Sequence, residues 1–353
     1  MQEISNLSIT SNEFTLVVDG RILEMFADIT IDKSEYIDIM AVSGALCFFC
    51  EIKEVIRMSY VGISNTNEFS MRIPTDVLKT VMKIGTLRIV RNSSNNGEVP
   101  TVTLTHYTGL DEKTITVEIA DELCAERERI ASIIGSLNKE GIEMPGKPFF
   151  YKLESMVKPN SSKVPITGLQ IRDGMGFVIS NGYAAYMEAP KELRLTISTS
   201  SLRAIIHFLD ANQRAELIIN EGYCYLRLPG RILGWRRQRP AQCLDSSYIK
   251  EIDSCMVDIG NINEMFSHIS TEVKECRLQP SVGKLSLRTQ LGYYTLPLNA
   301  EKTCDVGDYK VNYNILSALL KTMKGTVSFG YTQNTLILRK QDITYILGVS
   351  RIE

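Results

Sequence analysis

The stretch from Tyr313 to Ile352 reads YNILSALLKTMKGTVSFGYTQNTLILRKQDITYILGVSRI. Ile315, Leu316, Leu319 and Leu320 recur at the spacing of one helix face. TVSFGYTQNTLILR then carries two strand-like runs around turn residues, and an apolar run, YILGVSRI, follows. One amphipathic helix followed by strands is therefore the local unit.

The same unit recurs along the chain, and a recurring unit decides the fold. Five further segments have apolar residues at helical spacing: Ile22/Leu23/Phe26/Ile29, Val77/Leu78/Val81/Met82, Phe150/Leu153/Val157, Leu202/Ile205/Ile206/Leu209 and Ile262/Met265/Phe266/Ile269. After the odd-numbered helices come VSGALCFF (42–49), RDGMGFVIS (172–180) and SVGKLSLRT (281–289). Each centres a hairpin on a glycine, Gly44, Gly174 or Gly283, because tight hairpins need positive φ. After the even-numbered helices come TLRIVRN (86–92), AELIINEGYCYLRL (215–228) and TVSFGYTQNTLILR (326–339). Helix and strands thus alternate in three phased pairs, which predicts an α+β protein of three domains: 1–143 with a linker, 144–248 and 249–353. The whole chain is 353 residues, so equal thirds are about 118 residues each, a usual domain size. Linkers are expected at Glu126 to Gly146, partly helical through RERIASIIGSL, and at Arg239 to Lys250.

A hydrophobic fraction of 44% and a charged fraction of 23% fit a water-soluble globular chain. No apolar run reaches the length of a membrane span. MQEISNLSITSNEF lacks the basic and apolar regions of a signal peptide, so a cytoplasmic protein is expected. Eight cysteines are scattered, and only Cys47 and Cys50 form a CxxC. That pair lies in an apolar strand, where residues three apart point to opposite faces and cannot share one metal. His106, His207 and His268 have no Cys, Asp or Glu at ligand spacing. No nucleophile elbow, phosphate loop or dinucleotide fingerprint is present. The expectation is a non-enzyme without cofactor or metal.

Two stretches carry a family resemblance. VPITGLQIRDGMGFVISNGYAAYME (164–188) is similar to a strand, a Gly turn and a Thr-Asp-Gly-His-Arg-Leu-Ala run; here that run is Ser180-Asn181-Gly182-Tyr183-Ala184-Ala185-Tyr186. Tyr345-Ile346-Leu347-Gly348-Val349-Ser350-Arg351-Ile352 resembles a closing Tyr-Val-Val-Met-Pro-Met-Arg-Leu. These belong to bacterial-type (beta) sliding clamps of DNA polymerase, and the resemblance extends over nearly the whole chain. FTLVVDGRILEMF, the GALCFF hairpin and the helix at 75–83 fit more loosely. Asn181 and Tyr183 replace Asp and His, Gly348 and Val349 replace Met and Pro, and GWRRQRPAQCLD lacks a clear Phe-Pro-Asp-Tyr. Such drift is what a fast-evolving phage or plasmid version would show.

The resemblance implies three domains of two βαβββ units each, and a head-to-tail homodimer closing a ring with helices inside and sheets outside. It implies sequence-independent binding of double-stranded DNA, with DNA polymerase and a clamp loader as partners. The net charge of −2 is compatible with a ring that slides rather than grips. Lys79 and Lys83 lie opposite Val77/Val81 on a helical wheel, and Lys321 and Lys324 lie opposite Ile315/Leu316/Leu319. Arg203 flanks its apolar stripe, Arg214 follows that helix, and Lys158 and Lys163 bracket the loop after the third helix. These are candidates to face DNA, although lysines also simply solvate exposed helix faces. By position, the family's partner-peptide groove would use Ile166, Ser180, Gly182, Tyr183 and Ala185, with Ile346, Val349 and Arg351 from the tail. Tyr183 would be the wall, a large apolar face with a polar tip. Ile166 and Ile346 read equally well as core. The basic run Arg231 to Arg239, around the single Trp235, falls near an outer strand. Competing readings are a clamp-fold regulator or decoy that binds replication or transcription factors without supporting processivity, and an unrelated β-rich structural protein.

Overall fold

The computed structural model describes residues 7–9, 13–18, 35–52, 55–63, 69–81, 86–92, 101–108, 111–118, 124–137, 139–157, 169–180, 182–209, 214–220, 222–238, 253–269, 272–298 and 307–352. Six helices lie among them: α1 (Thr75–Val81), α2 (Cys124–Ser136), α3 (Lys147–Val157), α4 (Thr199–Phe208), α5 (Gly260–His268) and α6 (Tyr313–Lys321). Five of them are helices read from periodicity. The first expected helix, around Ile22 to Ile29, lies outside the described residues. α2 is the helical part expected within the linker at 126–146; at 13 residues it also begins two residues before that segment.

The chain forms two compact units, residues 1–144 with 207–237 and residues 145–206 with 238–353. The segment expected as a middle domain is therefore shared between them. Strand pairing gives the reason. In the first unit, Arg231–Arg236 pairs with Val55–Gly62, so one eight-stranded sheet runs past the expected boundary. In the second, Tyr183–Glu188 pairs with Ile343–Ile352, and a twelve-stranded sheet does the same.

The first unit explains why ALCFFC (45–50) is apolar throughout. Strand residues alternate faces. Leu46, Phe48 and Cys50 join a core with Ile37, Leu78 of α1 and Leu104. Cys47 and Phe49 join a different core with Ile130 and Ile133 of α2. Both faces are covered, so alternation vanishes from the sequence. Cys47 and Cys50 thus point into separate cores, as the spacing required. The hairpin turns carry positive φ at Ser43 and Gly44 (52° and 74°) and at Asp173 and Gly174 (53° and 81°). Two successive residues of positive φ match the twist of a tight hairpin. Gly283 (φ 62°) instead follows a 3-10 turn, Pro280–Val282.

In the second unit each helix buries its stripe: Phe150, Leu153 and Met156 on α3, Leu202 and Ile205 on α4, Ile262 and Phe266 on α5. α6 buries Leu316, Leu319 and Leu320. Its last-turn carbonyl at Leu320 accepts from the Met323 backbone at 3.0 Å and also from Asn263 Nδ2 of α5 at 3.0 Å, which ties the two helices together. Ile343–Ile352 is the hub of the sheet, pairing with Tyr183–Glu188, Thr335–Lys340 and Asp308–Val311.

Candidate partner pocket and basic helix faces

Tyr183 lies opposite Leu347, and Ala184 opposite Ile346. The tail is therefore brought against the 180s. The two tyrosines at this joint face inward. Tyr183 is 5% exposed, and its hydroxyl donates to the Met156 carbonyl at 2.9 Å. The Tyr345 hydroxyl donates to the Ser155 carbonyl at 3.3 Å, with the two ring centroids 6.5 Å apart. Both acceptors belong to the last turn of α3, whose carbonyls need outside donors. Burial, and then the neighbouring Tyr345, raises the Tyr183 phenol well above its ordinary range. Tyr183 thus ties α3 to the sheet and is not the exposed wall expected of it.

Other expected groove residues separate. Ala185 and Ile346 are buried, while Ser180 and Gly182 are half-buried. A side chain at Gly182 would meet the end of the Ile315 side chain of α6, which would have to move to admit it. Arg351 is exposed and pairs in register with Tyr309, four residues beyond the Tyr183 partner. At ~3.3 Å per strand residue that is about 13 Å along the strand. Ile166 lies outside the described residues.

Val349 does line a pocket, of ≈ 530 Å³. Three strands and a helix start build it. Asp308–Val311 is flanked by Val273–Gln279 on one side and Ile343–Ile352 on the other, with Lys310 opposite both Arg277 and Ser350. α6 begins at once after that strand. Asn312 caps it, its side chain accepting from the backbone of Asn314 and Ile315. The rim therefore holds Val273, Lys274, Lys310, Val311, Tyr313 and Val349. Phe266 of α5 meets the Tyr313 ring edge-on at 5.1 Å and fixes it there. Of the expected site only Val349 is in this pocket; the rest of its lining was missed. Its residues lie in three distant segments joined by strand register, with no local signature in any of them.

The pocket is charged. Glu275 accepts from Arg277 at 3.0 Å and lies 3.7 Å from Lys310. The Arg277 hydrogen bond, with help from nearby cations, holds the Glu275 carboxyl below its usual range. Cys276 is buried at the pocket, and burial pushes its thiol up to about 12, which makes it a poor nucleophile.

Of the residues expected to face DNA, Arg203 is exposed on α4 and Lys321 ends α6. Lys324 is exposed but lies beyond α6, in the turn before Thr326–Tyr331, because the helix stops at Lys321. Arg214 is exposed and 3.6 Å from Glu143. Lys79 lies on α1 with its side chain outside the described set, as are Lys83, Lys158 and Lys163 entirely. A further cation–aromatic pair on α3, half-buried Lys147 over exposed Tyr151 at 5.9 Å, was not anticipated. Trp235 is 1% exposed within Arg231–Arg236, so the basic run is anchored as a sheet strand. Among the described residues no cluster of His, Cys, Asp or Glu could hold a metal, and no helix is long and apolar enough to cross a membrane.

No protein-family model and no curated protein matches the chain. Solved structures do. The DNA polymerase III beta chain of Streptococcus pneumoniae superposes with a TM-score of 0.69 at 12% identity, covering 97% of this chain and 100% of that one. The beta subunit of DNA polymerase from Streptococcus pyogenes gives 0.68 at 9% identity, with 96% and 100% covered. The DNA polymerase sliding clamp of Pseudomonas aeruginosa gives 0.65 at 10%, with 96% and 99% covered. This chain therefore has the fold of the bacterial beta sliding clamps along nearly its full length. These three structures are bacterial, and a phage source has no support among them.

Proposed function

We propose that this chain is a DNA sliding clamp, a non-enzymatic ring that encircles duplex DNA and tethers a polymerase. The observation that carries the reading is the clamp fold over 97% of the chain, rather than over one domain. Two copies join head to tail into the ring. Among the described residues each copy has two sheet edges suited to that joint. Asp111–Glu118 ends the five-stranded sheet of the first unit, and Tyr293–Pro297 ends the sheet of the second. Exposed edges invite another strand. Tyr293 and Leu291 are 73% and 74% exposed there, apolar surface that a second copy would cover. Arg203, Lys321 and Lys324, with Lys79, Lys83, Lys158, Lys163 and Arg214, face the DNA, which needs only non-specific phosphate contacts. The pocket beside Val349 receives a short peptide from the polymerase or loader.

The test is topological. The protein should stay on nicked circular DNA and be released when that DNA is linearised, with a solution mass about twice 39.7 kDa. Equal retention on both forms, or a stable monomer at micromolar concentration, overturns the reading. A second reading, a clamp-fold decoy that binds replication factors without supporting processivity, draws on the inward turn of Tyr183. It predicts peptide binding without topological retention.

A further inference from the structure

We infer that the pocket beside Val349 selects a peptide carrying an Asp or Glu side chain among apolar residues; this rests on the groove reading above. Three features of the pocket point the same way. Lys274 and Lys310 both stand exposed on its rim. The positive end of α6 opens onto it through Asn312, Tyr313 and Asn314. An incoming carboxylate is stabilised near such a helix start. The one carboxylate on the pocket, Glu275, is already held by Arg277 at 3.0 Å and lies 3.7 Å from Lys310. It cannot neutralise Lys274 as well. The local balance is therefore positive in a chain whose formal net charge is −2.

The rest of the lining is mixed, with Asn312, Asn314 and Ser350 among apolar groups. Val273, Val349 and the Tyr313 ring give contact surface for aliphatic or aromatic side chains, while the lysines supply direction. Rim charges of this kind set specificity and encounter rate more than total affinity. A basic peptide would be repelled by both lysines and a purely apolar one would leave Lys274 without the counter-charge that Lys310 has in Glu275, whereas an acidic one would supply it.

Random nine-residue peptides displayed on phage would be selected against the 353-residue chain. The expected result is enrichment of Asp or Glu at one position between apolar residues. The best peptide, synthesised with an amidated C-terminus, should bind about tenfold more weakly to the Lys274→Glu/Lys310→Glu variant. It should weaken similarly when its acid is replaced by the amide. A Lys at that peptide position should restore binding to the charge-reversed variant. Loss of binding on amidation alone would mean that a chain terminus is recognised, and would overturn the side-chain assignment. Peptides blocked by Val349→Glu but showing no acidic preference overturn this inference and leave the groove standing. Absence of binding peptides, or binding indifferent to Val349→Glu, overturns the groove and this inference together.

Discussion

Two sheet joints in this molecule are built alike and end differently. Arg231–Arg236 meets Val55–Gly62 through five register pairs, and Tyr183–Glu188 meets Ile343–Ile352 through five. At the first, α2 lies over the sheet. Its Ile130 and Ile133, with Leu137 just beyond its end, share a core with Phe49, Ile56 and Ile232. Arg129 pins it there, donating to Glu51 at 2.6 Å and to the Tyr223 hydroxyl at 3.0 Å. At the second, the tail strand runs past its partner and its next residues, Gly348 to Ser350, border a pocket. The same pairing becomes a seal in one place and leaves a pocket open in the other. A helix of the same chain packs at both joints, α2 at the first and α3 at the second; what differs is that the tail strand continues past α3, and the pocket there has no α3 residue in its lining.

The comparison can be broken most sharply at the seal. Ile133→Ala removes a residue 1% exposed. It should cost about 2–5 kcal/mol, read by chemical denaturation, with little effect on peptide binding. An effect below 1 kcal/mol would mean that α2 merely rests on the sheet. Next in size is Gly182→Val. Its collision with Ile315 should destabilise the second unit by about 1–3 kcal/mol and disturb the start of α6, so peptide binding falls as well. Unchanged peptide affinity would separate the joint from the pocket.

Tyr183→Phe removes only the donor to Met156 and should cost about 1–2 kcal/mol while leaving peptide affinity intact. Loss of affinity without loss of stability would restore Tyr183 as a groove wall. One buried thiol from each unit gives a pH test. Burial pushes Cys47 and Cys276 up to about 12, above their ordinary 9.0. The native state then holds protons that the unfolded chain releases, so stability should be level below pH 9 and fall as pH rises from there toward 12. Replacing Cys47 by Ala should flatten part of that slope. The smallest change in stability is expected for Arg203→Glu with Lys321→Glu and Lys324→Glu, since all three are exposed. Retention on circular DNA should nonetheless weaken, and less so as salt rises.

Much of this fold was legible because helices and tight turns are written locally. Leu316, Leu319 and Leu320 mark one helix face, and Gly44 and Gly174 mark two hairpins. α2 was read as the helical part of a linker because the segment Glu126 to Gly146 is charged and carries Gly and Pro. Arg129 in fact reaches across to Glu51, 78 residues away. Tyr183 misled for a related reason: its polar tip suits an interface, but an unpartnered helix carbonyl uses it first. The pocket was legible only at Val349. Lys274 and Lys310 share it through the register of Arg277 with Lys310, which no stretch of neighbouring residues encodes.

The strand Ile343–Ile352 also has a consequence for how the protein is made. It is the shared edge of three other strands, Tyr183–Glu188, Thr335–Lys340 and Asp308–Val311. During synthesis those three are all made before it and must wait. The strand at 183–188 waits while more than 150 residues are added. Until then its hydrogen-bonding groups on that side have no native partner, and such edges are where nascent chains misassemble. The first unit has its last strand, Arg231–Arg236, much earlier. Folding on the ribosome should therefore proceed in two stages, with a long interval during which half of the molecule is finished and the other half cannot close.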